Sequence, residues 1–185
     1  VYCTNFTLGL IKERLREYHL EDEVPLYSVS ENPIVELPNF NVEFIPIVHS
    51  VPETSALAIR TQFGNILHAT DWRLDDSSIS FLQTDYNALK KIASEGVAMF
   101  VCDSTNALLE EKLPSENDVR QSLIKMMPSF EKGVIATCFA SNLMRLESLI
   151  LAAHEAERTP VLVGRSLIQN MRIAKENGYF QNIPN

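Results

Sequence analysis

The sequence predicts a mixed α/β protein, and three observations carry that prediction. Short apolar runs rich in β-branched and aromatic residues recur along the chain. Segments with apolar residues at helical spacing lie between them, opened by Ser, Thr or Asn and several closed by Gly. Three of the strand-like runs end on a metal-capable or acidic side chain: Phe44 to His49, Asn65 to Asp71, and Val97 to Asp103. A strand fixed in a sheet holds its end rigidly, so a polar residue just past the last apolar position is placed precisely at the sheet rim.

Val1-Tyr2-Cys3 reads as a short strand, and Thr4 or Thr7 can cap a helix through Leu8, Ile11, Leu15 and Tyr18. Residues 21–41 carry Pro25, Pro33 and Pro38 among several acids, which suits short strands and turns. The Phe44–His49 strand follows, then a turn over Ser50–Thr54 and a strand over Ala56–Thr61. Gly64-Asn65 marks a hairpin into the next strand. Asp71–Asp76 leaves as a polar loop, Tyr86–Ala93 reads as a helix ended by Gly96, and Val97–Asp103 as the next strand. Glu110–Pro114 is a charged connector, and Ser115-Glu116-Asn117-Asp118 a capping box that opens a helix. Beyond it we expect strand Gly133–Cys138, helix Asn142–Arg158, strand Pro160–Val163 and helix Ser166–Asn177, closed by Gly178. That alternation implies parallel pairing with right-handed crossovers. The change of character near Leu113 suggests two modules, 1–112 and 113–185.

The chain has 185 residues, a net charge of −8 and three cysteines far apart in apolar runs. The cysteines suit buried reduced thiols rather than a disulfide framework. An acidic chain argues against broad, non-specific nucleic-acid binding, while a narrow channel with local cations and arginines is compatible with it. No run approaches the roughly 18 apolar residues of a membrane span, and nothing resembles a signal peptide, so a cytoplasmic setting is expected. The start at Val1, within a strand, reads as a segment of something longer.

His49 is the foremost candidate ligand, because imidazole nitrogen with a carboxylate oxygen is a common zinc pairing and Asp71 supplies the carboxylate. His68 lies within its strand three residues before Asp71, points to the other face and reads as structural. Asp103 has two readings: a cap for the turn Ser104-Thr105-Asn106, or a carboxylate that orients a histidine for acid–base work. Cys138–Asn142 and Val163–Ser166 are strand-to-helix junctions. Ser141, Asn142 and Ser166 can cap helices there. The same junctions, with Arg145 and Arg165 nearby, can instead take phosphate. No Walker loop, dinucleotide fingerprint, zinc ribbon or nucleophile elbow is present.

Taken together, His49–Thr54, His68–Asp75, Asp103–Ala107, Ser115-Glu116, Phe139–Asn142 and Gly164–Ser166 resemble the ribonuclease J family, in the β-CASP branch of the metallo-β-lactamase superfamily. The resemblance covers nearly the whole chain in the right order. It implies part of an αββα metallo-β-lactamase sandwich over 1–112, followed over 113–185 by the first part of an inserted β-CASP αβ domain. His49 then looks like the third-motif metal ligand, Asp71 like the aspartate bridging two Zn2+ ions, and Asp103 like the first β-CASP acid. Ser141, Asn142, Arg145, Arg165 and Ser166 would face RNA. The implied activity is zinc-dependent hydrolysis of single-stranded RNA, as endonuclease and 5′ exonuclease, by a homo-oligomer. Other metallo-β-lactamase hydrolases, DNA-directed β-CASP nucleases and a non-catalytic RNA-binding scaffold are the alternatives.

The family's His-x-His-x-Asp-His cluster would lie before Val1 and its remaining β-CASP histidines after Asn185. The isolated segment is therefore expected to be inactive and to expose apolar strand edges. Three positions depart from the family pattern: Thr70 where Gly is common, Trp72 where Phe is, and Met144 where His is frequent.

Overall fold

Alternating apolar and polar residues build a five-stranded sheet in the first of two units. The structure, a computed structural model, describes residues 1–31, 33–73, 75, 81, 83–110, 113–181 and 183. The first unit holds the described residues of Val1–His49, Glu53–Leu74 and Leu82–Leu109. The second holds those of Ser50–Pro52, Asp75–Phe81 and Glu110–Asn185. The expected polar loop over 71–76 and connector over 110–114 include Leu74, Asp76, Glu111 and Lys112, which lie outside the described residues.

In the first unit, β1 (Tyr2–Cys3) leads into α1 (Asn5–Tyr18) and pairs in parallel with β2 (Tyr27–Ser28). Thr4 occupies the N-cap position of α1 without a capping side-chain bond. The Glu53 carboxylate does that work instead, accepting from the Phe6 N–H at 2.9 Å. The main sheet follows, with β3 (Ile34–Leu37), β4 (Phe40–Pro46), β5 (Ser55–Thr61) and β6 (Gly64–Ala69) in successive antiparallel pairs. Helix α2 (Tyr86–Glu95) then returns the chain so that β7 (Val97–Cys102) lies parallel to β6. Asp85 caps α2 by accepting from Asn87 N and Ala88 N, and Gly96, at φ +88°, lets the chain turn into β7.

The core of this unit forms where α2 meets one face of the sheet. Ile92 is fully buried among Ile45, Ile47, Ala56, Ala58 and Ala69, with Leu67, Leu89, Val97 and Cys102 packed around them. The small alanines on β5 and β6 let the helix approach closely. A register shift at Asn65/Ile66 leaves Ala98 as an extra residue in β7. Such a bulge switches which alternate side chains face inward, and Val97 and Cys102 both reach the core across it. β7 is a continuous apolar run. In the structure it is the sheet edge, with Met99 56% and Phe100 54% exposed.

The second unit contains α3 (Glu116–Met126), a short 3₁₀ turn at Met127–Ser129, α4 (Leu143–Glu155) and α5 (Arg165–Glu176). The capping box expected at Ser115 is present, with Asp118 as its reciprocal acid. The strands expected at Gly133–Cys138 and Pro160–Val163 do not form. Both segments line one cavity of about 860 Å³, and Ile135 and Val163 are 95% and 82% exposed. β-branched composition favours extended backbone, but a strand exists only when a neighbour completes its ladder, and here the cavity lies along both segments. The parallel pairing expected over this region is accordingly absent among the described residues. All three cysteines are free thiols, Cys3 buried and the other two half-buried.

Gly64 is required twice over. It sits at φ +135°, where an L side chain is strained, and a Cβ there would stand 3.0 Å from the Ala98 Cβ at the bulge. We expect Gly64→Ala to destabilise the complete protein by about 1–3 kcal/mol, read as a fall in the denaturant midpoint. An unchanged midpoint would show that neither constraint operates.

Candidate functional site

Strand direction decides where the candidate residues lie. Two antiparallel steps separate β4 from β6, and β7 runs parallel to β6, so β4, β6 and β7 all end at the same sheet rim. The register is explicit: Pro46 stands opposite Ser55, and Ala69 opposite Cys102. His49, Asp71 and Asp103 follow these strand ends at that rim. His49 is not on the strand itself, because β4 stops at Pro46.

Main-chain bonds then draw the three segments together. Ile47 N donates to Thr54 O (3.0 Å), Arg73 N to Val48 O (2.9 Å) and Asp103 N to Thr70 O (2.9 Å). The α2 entry joins the same rim, since Asp85 N donates to Pro46 O at 2.9 Å and the Thr84 hydroxyl accepts from Val48 N at 3.1 Å. Each bond lies within three residues of a candidate, and the one from Asp103 N lies on it. A shift of one segment therefore disturbs the others.

The electrostatics follow from this placement. Partial burial of His49 pushes its pKa below the usual imidazole range. The carboxylates of Asp71 and Asp103 pull it upward, and the Arg73 guanidinium adds to the lowering. A neutral imidazole is the form that offers a lone pair to a cation. Asp103 is fully exposed, and its pKa is held down chiefly by the Thr105 hydroxyl (2.5 Å), with the Thr105 N–H (3.0 Å) adding to it. That is the turn-capping geometry expected for one of its two readings, and it leaves the carboxylate charged and facing His49's field. His68 pairs within the sheet opposite Leu57 and Val101.

His49 and Asp71 supply the nitrogen and oxygen donors that zinc takes. Among the described residues, no three His, Cys, Asp or Glu side chains group closely enough to hold an ion by themselves. The pair therefore fits as part of a ligand set.

In the second unit the phosphate candidates are placed differently. Asn142 caps α4, its Oδ1 accepting from Arg145 N at 3.0 Å, and Ser141 is exposed in the preceding turn. Gly164, rather than Ser166, occupies the N-cap position of α5, and Arg165 and Ser166 form its exposed first turn. Arg145 turns its fork onto Glu116, with Nε at 2.7 Å and Nη2 at 3.1 Å from the two carboxylate oxygens. Met144 is buried. Glu116 is only 2% exposed, and its own N–H donates to the buried Asp75 carboxylate at 2.9 Å. Sequence reading placed Glu116 in a capping box and missed this pairing. The signal available was an arginine in the first turn of α4 beside the buried Leu143, Met144 and Leu146, which asks for a partner. The indole N–H of Trp72 likewise has a distant partner, donating to the Asp103 carbonyl at 3.0 Å.

Comparison with known proteins gives the class first: residues 131–185 match the family model "Ribonuclease J, beta-CASP domain", so this mixed α/β chain carries a β-CASP segment. Over 99% of its length it is 36% identical to "Ribonuclease J" of Sinorhizobium meliloti. It is 35% identical over 98% of its length to that of Mycolicibacterium smegmatis, and 35% identical over 96% to that of Pyrococcus abyssi. Over nearly its whole length the chain is thus similar to one part of ribonuclease J. It spans 32% of the first two relatives and 41% of the third. A crystal structure of a protein of unknown function from Enterococcus faecalis V583 shares its fold over 84% of this chain and 42% of that one, with TM-score 0.52 and 16% identity.

The Arg145–Glu116 pair yields a stability test. Arg145→Ala removes the forked partner of a carboxylate almost closed to water, and we expect a loss of about 3 kcal/mol in the complete protein. Arg145→Lys keeps the charge without the fork and should recover only part of it. Equal midpoints for all three proteins would show that the pair is not structural.

Proposed function

We propose that the complete protein is a zinc-dependent ribonuclease that hydrolyses phosphodiester bonds of single-stranded RNA. It cuts internally and from the 5′ end, and acts in the cytoplasm, as a homo-oligomer, in RNA processing and decay. The observation that carries this reading is the convergence of His49, Asp71 and Asp103 on one rim, in a chain related to ribonuclease J over nearly its full length. In this reading the first unit is part of an αββα metallo-β-lactamase sandwich, and the second opens the β-CASP domain.

When bound, a zinc pair supplies hydroxide near neutral pH and positive charge against the scissile phosphate. The chain's own residues do the rest. His49 offers a neutral nitrogen, kept so by burial. Asp71, at the end of β6 and exposed, offers two oxygens that two cations can share. Asp103, ionised and held by Thr105, orients a histidine on the reacting side of the site. Ser141, Arg165 and Ser166 stand exposed at helix starts where backbone N–H groups favour phosphate, while Arg145 reaches RNA only at the expense of its pairing with Glu116. No helix among the described residues is long and apolar enough to cross a membrane, in keeping with a nuclease that meets RNA in the cytoplasm.

In the complete protein, Asp71→Ala should lower single-stranded RNA cleavage by more than the 10–100-fold typical of losing an outer partner of a metal. Circular dichroism should stay unchanged, and His49→Ala should lower bound zinc measured by elemental analysis. Near-normal cleavage by the Asp71 variant, or full zinc content in the His49 variant, contradicts the assignment.

A further inference from the structure

Trp72 is the chain's single tryptophan and follows Asp71 directly. It lines a small cavity with Ile47, Leu89 and Phe100. From there Nε1 donates to the carbonyl of Asp103 at 3.0 Å. The N–H of Asp103 donates to the carbonyl of Thr70 at 2.9 Å. Both main-chain polar groups of Asp103 are thus held by the two neighbours of Asp71, one on each side. The Asp103 side chain is in turn held by Thr105. Two of these bonds link one carboxylate-bearing segment to the other, and only the indole one depends on the identity of a side chain at position 72. A phenylalanine there fills the same apolar space and offers no donor.

We propose that Trp72 is a positioning residue: its indole N–H, bound to the Asp103 carbonyl, fixes the placement of the Asp103 carboxylate relative to Asp71. This rests on the reading of those two residues as working parts of the nuclease site. Small displacements of a charged group at a reaction centre cost rate more than they cost binding, so the loss falls on kcat. A side chain that merely filled the cavity would be replaced by Phe without such a split.

The test uses the complete protein with Trp72→Phe, Asp103→Ala and the double variant, assayed on single-stranded RNA, alongside hydrogen exchange of the backbone over 103–107. Trp72→Phe is expected to lower kcat about 3–10-fold, the rate equivalent of one net hydrogen bond, with KM within about twofold. Exchange over 103–107 should quicken, and Trp72→Phe should cost nothing further when Asp103 is already Ala. Wild-type kcat together with wild-type exchange in Trp72→Phe overturns the proposal, as do losses that multiply in the double variant. If Asp71→Ala and Asp103→Ala both cleave RNA normally, the nuclease reading fails, and the exchange rates alone then decide whether Trp72 holds Asp103. If those two variants are inactive while Trp72→Phe matches the wild type in rate and exchange, the positioning role alone fails.

Discussion

The parallel pairing of β6 with β7 is the constraint on which the candidate site depends. Every other pairing in the main sheet is antiparallel, and an all-antiparallel order would send the end of β7 to the opposite rim from Asp71. The crossover through α2 reverses that. It carries the chain from one rim back to the other before β7 begins, and α2 buries Ile92 against β5 and β6 on the way. The same helix that anchors the core therefore sets the direction of the strand that delivers Asp103. Gly64 and the bulge at Ala98 are the local adjustments that let β7 lie against β6 with Val97 and Cys102 turned inward.

Polar groups at the rim are held mainly by backbone, which suits a site that must keep its side chains free for chemistry. Main-chain atoms of Val48, Thr70 and Arg73 make bonds that join the segments. In the second unit the opposite solution appears. Arg145 and Glu116 spend their charged groups on each other, and Arg120 does the same with Glu147 and Ser148, tying α3 to α4. A group so engaged contributes architecture first. Arg145 is thus bound to the fold through Glu116.

Features governed by neighbours in the chain were legible from the sequence. The Gly64 hairpin, the helix ended by Gly96 and the Ser115 capping box all depend on a few adjacent residues. Features that need a distant partner were not. Gly133–Cys138 and Pro160–Val163 have the composition of strands, yet composition does not supply the neighbour that makes a ladder. Arg145 looked like a phosphate ligand because nothing local reveals Glu116, which is 29 residues away. The indole bond of Trp72 spans 31 residues and replaces what a reading by residue type alone treats as packing. β7 is apolar and extended as its composition suggests, while its exposure at the sheet edge depends on layers that a single strand does not announce.

The central claim is that His49 and Asp71 grip a common metal centre. Diffraction from crystals of the complete protein at wavelengths on either side of the zinc absorption edge tests it directly. The account predicts an anomalous peak at about 2.0–2.2 Å from both an imidazole nitrogen of His49 and a carboxylate oxygen of Asp71, lost on chelation. An anomalous peak elsewhere, with His49 and Asp71 bonded only to protein and water, would contradict it.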